Sequence, residues 1–225
     1  MGRGLFVTGT DTGCGKTEIT LGLMQALQGQ GLRVLGMKPV ASGAEATPQG
    51  SRNEDAGRIR LQGSRLVEYE RVNPYLFSPP IAPHIAAAQA GVTIDFERIR
   101  QALKGLQDAA DLVVVEGVGG WRVPLGPQGE VADLIQVLGL PVVLVVGLRL
   151  GCLNHALLTL ESITARGVPL AGWVANTLEP GMAALAENIA ALRGRIPAPL
   201  LGVVPRLTPP FGGPAVAPFL RVGTL

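Results

Sequence analysis

One segment near the amino end, Gly9-Thr-Asp-Thr-Gly-Cys-Gly-Lys-Thr17, constrains this chain more than any other feature. It follows a short apolar run, Leu5-Phe-Val7. It precedes residues 16–28, in which Ile19, Leu23, Met24 and Leu27 recur at helical spacing. A glycine-rich turn between strand and helix is the context of a phosphate-binding loop. Gly13 and Gly15 let the backbone curl so that successive N–H groups face one anion, and the helix N-terminus behind them adds partial positive charge. Lys16 then reaches the β- and γ-phosphates of a nucleotide, and the Thr17 hydroxyl suits Mg²⁺. Five residues separate Gly9 from Gly15-Lys16, where the strict pattern has four. A glycine-rich turn without a ligand is the alternative reading.

The rest of the chain repeats this alternation. Residues 33–37, 112–115, 142–146, 171–175 and 200–204 are short apolar runs of strand length, and residues 153–166 and 182–193 read as helices between them. Continuous apolar strands are expected where helices cover both faces of a parallel sheet. Residues 39–94 are less regular, with short helices expected near 54–62 and 82–90. The tail from Pro205, with Pro209, Pro210, Gly212, Gly213, Pro214 and Pro218, is expected to wrap the surface irregularly. The expectation is a single α/β domain over 1–225, doubly wound around a mostly parallel sheet, with its ligand site at the carboxyl ends of the strands.

Charge and composition exclude several functions. Nineteen basic and seventeen acidic residues leave a net charge of +2, with no basic stripe for nucleic acid. The longest apolar run, residues 138–148, falls short of the ~20 residues that span a bilayer. The first six residues lack the apolar core of a signal peptide, and Cys14 and Cys152 form no zinc-ligand spacing. A soluble, cytoplasmic protein is expected.

Further candidates converge on phosphate chemistry. Leu112-Val-Val-Val-Glu116-Gly-Val-Gly-Gly-Trp121 places an acid at a strand tip, where a carboxylate helps hold Mg²⁺ beside phosphates; a solvent-facing Glu is the alternative. Lys38, in Met37-Lys-Pro-Val-Ala-Ser42-Gly43, follows the second strand at the same sheet end and can neutralise a transferring phosphoryl group. A surface lysine is its alternative. Asp55, in Asn53-Glu-Asp55, reads as a second metal carboxylate or a helix cap. The chain holds 16 Arg and only three Lys, and Lys16 and Lys38 both fall in these motifs. The compact ammonium is kept where a planar guanidinium does not fit.

The ordered set Gly9-Thr-Asp-Thr, Gly15-Lys-Thr17, Lys38-Pro-Val-Ala-Ser-Gly43, Asn73-Pro-Tyr75, Pro83-His84, Val115-Glu-Gly-Val-Gly-Gly-Trp121, Leu150-Gly-Cys-Leu-Asn-His155 and Gly172-Trp-Val-Ala-Asn176 resembles the dethiobiotin synthetases. The resemblance runs from residue 5 to about 207. It implies an ATP-dependent enzyme that joins CO₂ to 7,8-diaminopelargonate and closes the ureido ring of dethiobiotin in biotin biosynthesis. In that family a carbamate attacks the γ-phosphate, and the second amine closes the ring on the mixed anhydride.

The resemblance also implies roles for particular residues. Lys16 and Lys38 are catalytic. Thr17, Asp55 and Glu116 hold Mg²⁺. ATP is held by Gly13, Cys14, Gly15, Lys16, Thr17, Glu18, Asp55, Glu116, Gly117, Val118 and Gly119. Asn176 reads the adenine, helped by Thr177, Pro205, Arg206 and Leu207. Thr12, Ser42, Gly119, Gly151 and Asn154 face the diamine, the last two from the partner subunit of a homodimer. His84 and His155 match family positions and read as structural.

Three departures accompany the match. Gly13 replaces an acid found in some relatives, Asn188 stands where some carry Tyr, and the tail lacks acids that some place near the nucleotide. Asp11 stands near the point where ParA/MinD-like ATPases carry a second lysine, which argues against them. A nucleotide-dependent switch and a relative of the corrinoid amidoligases remain as alternatives.

Overall fold

A computed structural model of the chain describes residues 4–208 and 211–225. Among these residues, six strands form the main sheet: β1 (Gly4–Gly9), β2 (Val34–Met37), β3 (Leu112–Glu116), β4 (Val142–Leu148), β5 (Leu170–Thr177) and β6 (Leu200–Val204). Their spatial order is β6-β5-β4-β1-β3-β2, and every neighbouring pair is parallel. The chain first winds outward from β1 through β2 and returns with β3, then crosses to the other side of β1 with β4. That reversal beside β1 is where an open α/β sheet forms its ligand crevice, at the carboxyl ends of the strands.

The helices are α1 (Lys16–Gln28), α2 (Glu54–Gln62), α3 (Tyr69–Val72), α4 (Pro83–Gln89), α5 (Phe96–Gln107), α6 (Val131–Leu138), α7 (Cys152–Ala165), α8 (Leu185–Arg193) and α9 (Gly213–Val216). The period-two alternation of strand side chains divides the core between the two faces of the sheet. Leu5 and Val7 of β1 join Ile19, Leu23 and Met24 of α1, whereas Phe6 joins Ile99 and Leu106 of α5 and Leu134 of α6. The long apolar run ends a helix and starts a strand. Gly139, with φ 64°, closes α6, and all seven residues of β4 are buried. Among the described residues, no helix is long and apolar enough to cross a membrane.

Three features differ from the sequence reading. First, helices α5 and α6 stand before and after β3, in the stretch between residue 94 and β4. Asp95 caps α5 by accepting from Glu97 N–H at 2.9 Å, and Phe96, Ile99, Leu103 and Leu106 form its buried stripe. Second, residues 39–94 hold short strand pairs as well as helices: Val40–Ser42 runs parallel to Tyr75–Phe77, and Glu45–Thr47 forms a hairpin with Gly50–Arg52. Third, the tail is planted in the core. Val216, Leu220 and Val222 are buried in the α1 cluster, and the Arg221 N–H donates to the Leu201 carbonyl at 2.7 Å. A Cβ on Gly22 would lie 2.4 Å from Val216, so glycine on α1 makes room for α9. Pro and Gly stop regular structure there without keeping the intervening apolar residues at the surface. Pro209 and Pro210 lie outside the described residues.

Candidate active site

The loop between β1 and α1 is fixed from several strand tips. Gly15 caps α1 with φ 90°, and a Cβ there would meet Nδ2 of Asn176 at 2.1 Å, so its backbone and its surroundings both demand glycine. Asn176, near the end of β5, donates from Nδ2 to the Cys14 carbonyl at 2.9 Å. Asp11 accepts from the Thr12 N–H at 2.7 Å and pairs with Arg149, the residue after β4. The buried Lys16 ammonium folds back over the loop and donates to the Asp11 carbonyl at 2.9 Å.

Glu116, at the tip of β3, is completely buried. Its Oε1 accepts from the Thr17 hydroxyl at 2.9 Å and from the Lys38 ammonium at 2.5 Å. Lys38, only 5% exposed, also lies 3.2 Å from Oδ2 of Asp55 on the first turn of α2. Burial favours the neutral amine, but Glu116 and Asp55 outweigh it, and the Lys38 pKa is raised above the ordinary lysine value. The other oxygen of Glu116, Oε2, is buried with no hydrogen-bond partner among the described residues. The lysine is held by its backbone as well. Its N–H donates to the Val72 carbonyl at 2.8 Å, and its carbonyl accepts from Nδ2 of the buried Asn73 at 2.7 Å.

These groups line one cavity of about 400 Å³, shared by Thr12, Gly13, Gly15, Lys16, Thr17, Glu18, Lys38, Ser42, Asp55, Arg58, Glu116, Val118 and Gly119. A second cavity of about 260 Å³ adjoins it at Gly15 and Glu18 and is walled by Asn176, Thr177, Pro205, Arg206, Leu207 and Phe211. A third, of about 390 Å³, opens beyond Ser42 and Asp55 toward Glu45, Asn53 and Ser78. Ser42 Oγ is buried without a hydrogen-bond partner among the described residues. The connected shape suits an elongated ligand with a phosphate chain at its centre. Thr17, Asp55 and Glu116 offer a hydroxyl and two carboxylates, the hard oxygen donors that Mg²⁺ takes.

Most candidates from the sequence therefore meet in these cavities. Cys14 is buried beneath the loop, with its carbonyl engaged by Asn176. Gly117 lies behind the site, where a Cβ would touch Phe6 at 2.9 Å. Gly151 and Asn154 are exposed at the start of α7 and line none of the three cavities. His155 is exposed on α7, and His84 on α4 keeps a buried Nδ1 with no partner among the described residues. Sequence reasoning missed Arg58 and Arg149, and it gave Asn73, quoted there within a family motif, no role at Lys38. Arg58 carried a signal, since it lies three residues beyond Asp55 and so shares its helix face.

Known proteins match both the fold and the sequence. A family model described as an AAA domain matches residues 3–209. The ATP-dependent dethiobiotin synthetase BioD of Aromatoleum aromaticum is 55% identical over 205 residues, covering 91% of this chain and 91% of that protein. The protein of the same name from Cellvibrio japonicus is 53% identical over 206 residues, covering 92% of this chain and 90% of that one. Among solved structures, the ParA family ATPase of Chlorobium tepidum superposes with a TM-score of 0.55 at 15% identity, over 92% of this chain and 86% of that one. MinD from Pyrococcus horikoshii, complexed with Mg-ADP, gives a TM-score of 0.53 at 18% identity, over 90% of this chain and 81% of that one. At such identities the solved structures speak for the P-loop fold alone. The synthetases instead share more than half of their aligned residues along nine-tenths of both chains, and on that ground the chain belongs to the ATP-dependent dethiobiotin synthetase family.

Proposed function

We propose that this protein closes the ureido ring of dethiobiotin from 7,8-diaminopelargonate and CO₂, converting ATP to ADP and phosphate, as a step of biotin biosynthesis. The observation that carries the reading is the position of Lys38, which joins Glu116 and Asp55 inside the cavity that Lys16 and Thr17 also line. Phosphoryl transfer depends on positioning and on stabilising spread negative charge. Two ammonium groups lining one cavity meet both needs.

Each part of the cavity then has a task. Loop amides and Lys16 bind the phosphate chain, and Lys38 stabilises the charge on the transferring group. Thr17, Asp55 and Glu116 hold Mg²⁺, which when bound neutralises phosphate oxygens. Ser42, with its hydroxyl unengaged, takes the diamine, flanked by Thr12 and Gly119. The nucleoside occupies the cavity of Asn176, Thr177, Pro205, Arg206 and Leu207. The Asn176 side chain already donates one N–H to the loop, so it couples base recognition to loop geometry.

The exposed start of α7, with Leu150 95% exposed beside Gly151 and Asn154, fits a cytoplasmic homodimer in which that helix completes the partner's substrate site. Phosphate release should be measured with Mg-ATP and bicarbonate, with and without the diamine, and the product weighed by mass spectrometry. Diamine-dependent release with a dethiobiotin mass is the expected result. Release indifferent to the diamine would overturn the reading in favour of a switch-type ATPase.

A further inference from the structure

Glu18, named above among the ATP-contacting residues, is an acid beside a phosphate chain. It follows Thr17 directly and borders both the phosphate cavity and the nucleoside cavity. The helix dipole favours an acid in a first turn, but a carboxylate beside phosphates repels them. Its Oε1 lies 2.6 Å from Nη2 of Arg58, with side-chain exposures of 22% and 29% respectively, and its Oε2 is buried without a hydrogen-bond partner among the described residues. Arg58 enters from a separate element, one turn after Asp55 on α2, and lines the same cavity. Its base is firmly anchored. Asn53 caps α2 by accepting from the Ala56 N–H at 3.1 Å and donates from Nδ2 to the Gly43 carbonyl at 2.8 Å.

A guanidinium carries five N–H donors in a planar fork, so an ion pair through Nη2 leaves donors for a second anion. We propose that Arg58 is a nucleotide-positioning residue, which cancels the charge of Glu18 and presents its remaining N–H groups to the phosphate chain where the two cavities join. The proposal rests on the ATP-using reading above. It adds a cation that acts from α2, outside the phosphate loop and apart from Lys38.

The test is equilibrium binding of ADP, and of adenosine as a phosphate-free probe, by calorimetry on the full chain. Arg58→Ala should weaken ADP binding at least about tenfold and leave adenosine binding within about twofold. Glu18→Gln should bind ADP at least as tightly as the original protein. The double variant Glu18→Gln/Arg58→Ala should recover much of the loss, because no uncompensated carboxylate then faces the phosphates. That recovery is a coupling that a purely structural ion pair would not produce for ADP alone. Thermal melts check the fold, and Arg58→Gln serves if the alanine variant melts early. ADP affinity unchanged in the Arg58 variant, or equal losses for ADP and adenosine, would overturn the proposal. Absence of ADP binding by the unaltered protein would instead refute the nucleotide reading on which it stands.

Discussion

Removing the Lys38 ammonium tests the centre of the site. A lysine that served the chemistry alone, or lay on the surface, would leave the fold intact when replaced by Ala. The structure predicts a loss of both stability and turnover. Glu116 has no exposed surface, and without Lys38 its carboxylate keeps a single donor, Thr17 at 2.9 Å. Deleting one partner of a buried ion pair costs about 3–5 kcal/mol, whereas the Asp55 arm, 39% exposed, contributes only the ~0–1 kcal/mol of a surface pair. The cavity admits water, so the lower end applies, about 3 kcal/mol. For a chain of this length that lowers Tm by roughly 6–12 °C. Lys38→Ala/Glu116→Gln should recover much of the loss, because the stranded charge is gone. The sign of the pH dependence follows from the raised pKa of Lys38. A base whose folded pKa exceeds its unfolded value contributes fully below the unfolded value of about 10.4 and loses that contribution as pH rises through the folded one. The Tm gap between the two proteins should therefore stay constant from neutral pH to about 9 and shrink in stronger alkali. Differential scanning calorimetry with no added metal measures it. A Tm gap below about 2 °C, or one that widens with pH, would refute the reasoning. Turnover by the folded fraction should fall about 10²–10³-fold, as for removal of a preorganised charge-stabilising donor.

Other sites give independent checks. Asn176→Asp removes the donor to the Cys14 carbonyl and sets a carboxylate against it, so nucleotide affinity should drop at least about tenfold in calorimetric titration while α7 and α8 stay folded. Val216→Ser, in the fully buried contact with α1, should cost roughly 1.5–3 kcal/mol in urea denaturation; an irregular surface tail would lose nothing. The Asp133 carboxyl is pushed up by burial but pulled down further by the Glu130 backbone N–H and the Arg166 guanidinium, leaving its pKa lowered. A carboxyl of lowered pKa contributes stability above its unfolded value near 3.9 and loses it as pH falls through the folded value. Asp133→Ala should therefore cost about 1 kcal/mol at pH 7, and its deficit should vanish in acid, as read by melts across pH.

Much of the fold was readable because strands buried on both faces write continuous apolar runs. The runs at 112–115, 142–146 and 200–204 all fall within strands of the main sheet. The phosphate loop was readable because its physics is local: Gly13 and Gly15, with φ 74° and 90°, adopt backbone that other residues rarely take. Long-range pairing leaves no such trace. Nothing near Glu18 announces Arg58, and nothing near Asp11 announces Arg149, because each pair forms only once the sheet has brought separate segments together. The tail misled for a related reason. Its prolines and glycines spoke about regularity, while its burial depended on the notch that Gly22 leaves in α1. Helix α5 is a different case. Asp95 followed by apolar residues at helical spacing was available in the sequence, so that omission was one of reading and not of information.

The scarcity of lysine acquires a geometric reason at this site. Of the three lysines among 19 basic residues, Lys104 is exposed on α5, while Lys16 and Lys38 are 7% and 5% exposed in the cavity they share with Glu116 and Asp55. Arg58, the arginine that shares their cavity, is nearly a third exposed and reaches in from its rim. Lys38 must enter between Glu116 Oε1 and Asp55 Oδ2, at 2.5 and 3.2 Å, with Thr17 already on the same Glu116 oxygen. An ammonium places its donors tetrahedrally around one atom and can meet both carboxylates from that point. A guanidinium carries its charge in a plane several ångströms wide, and in a closed slot it would displace one of the two acids. The same comparison holds at Lys16, whose ammonium curls back onto the Asp11 carbonyl within the span of the loop. Where the cavity is nearly closed the chain holds lysine, and the arginine of the same cavity is the more exposed cation.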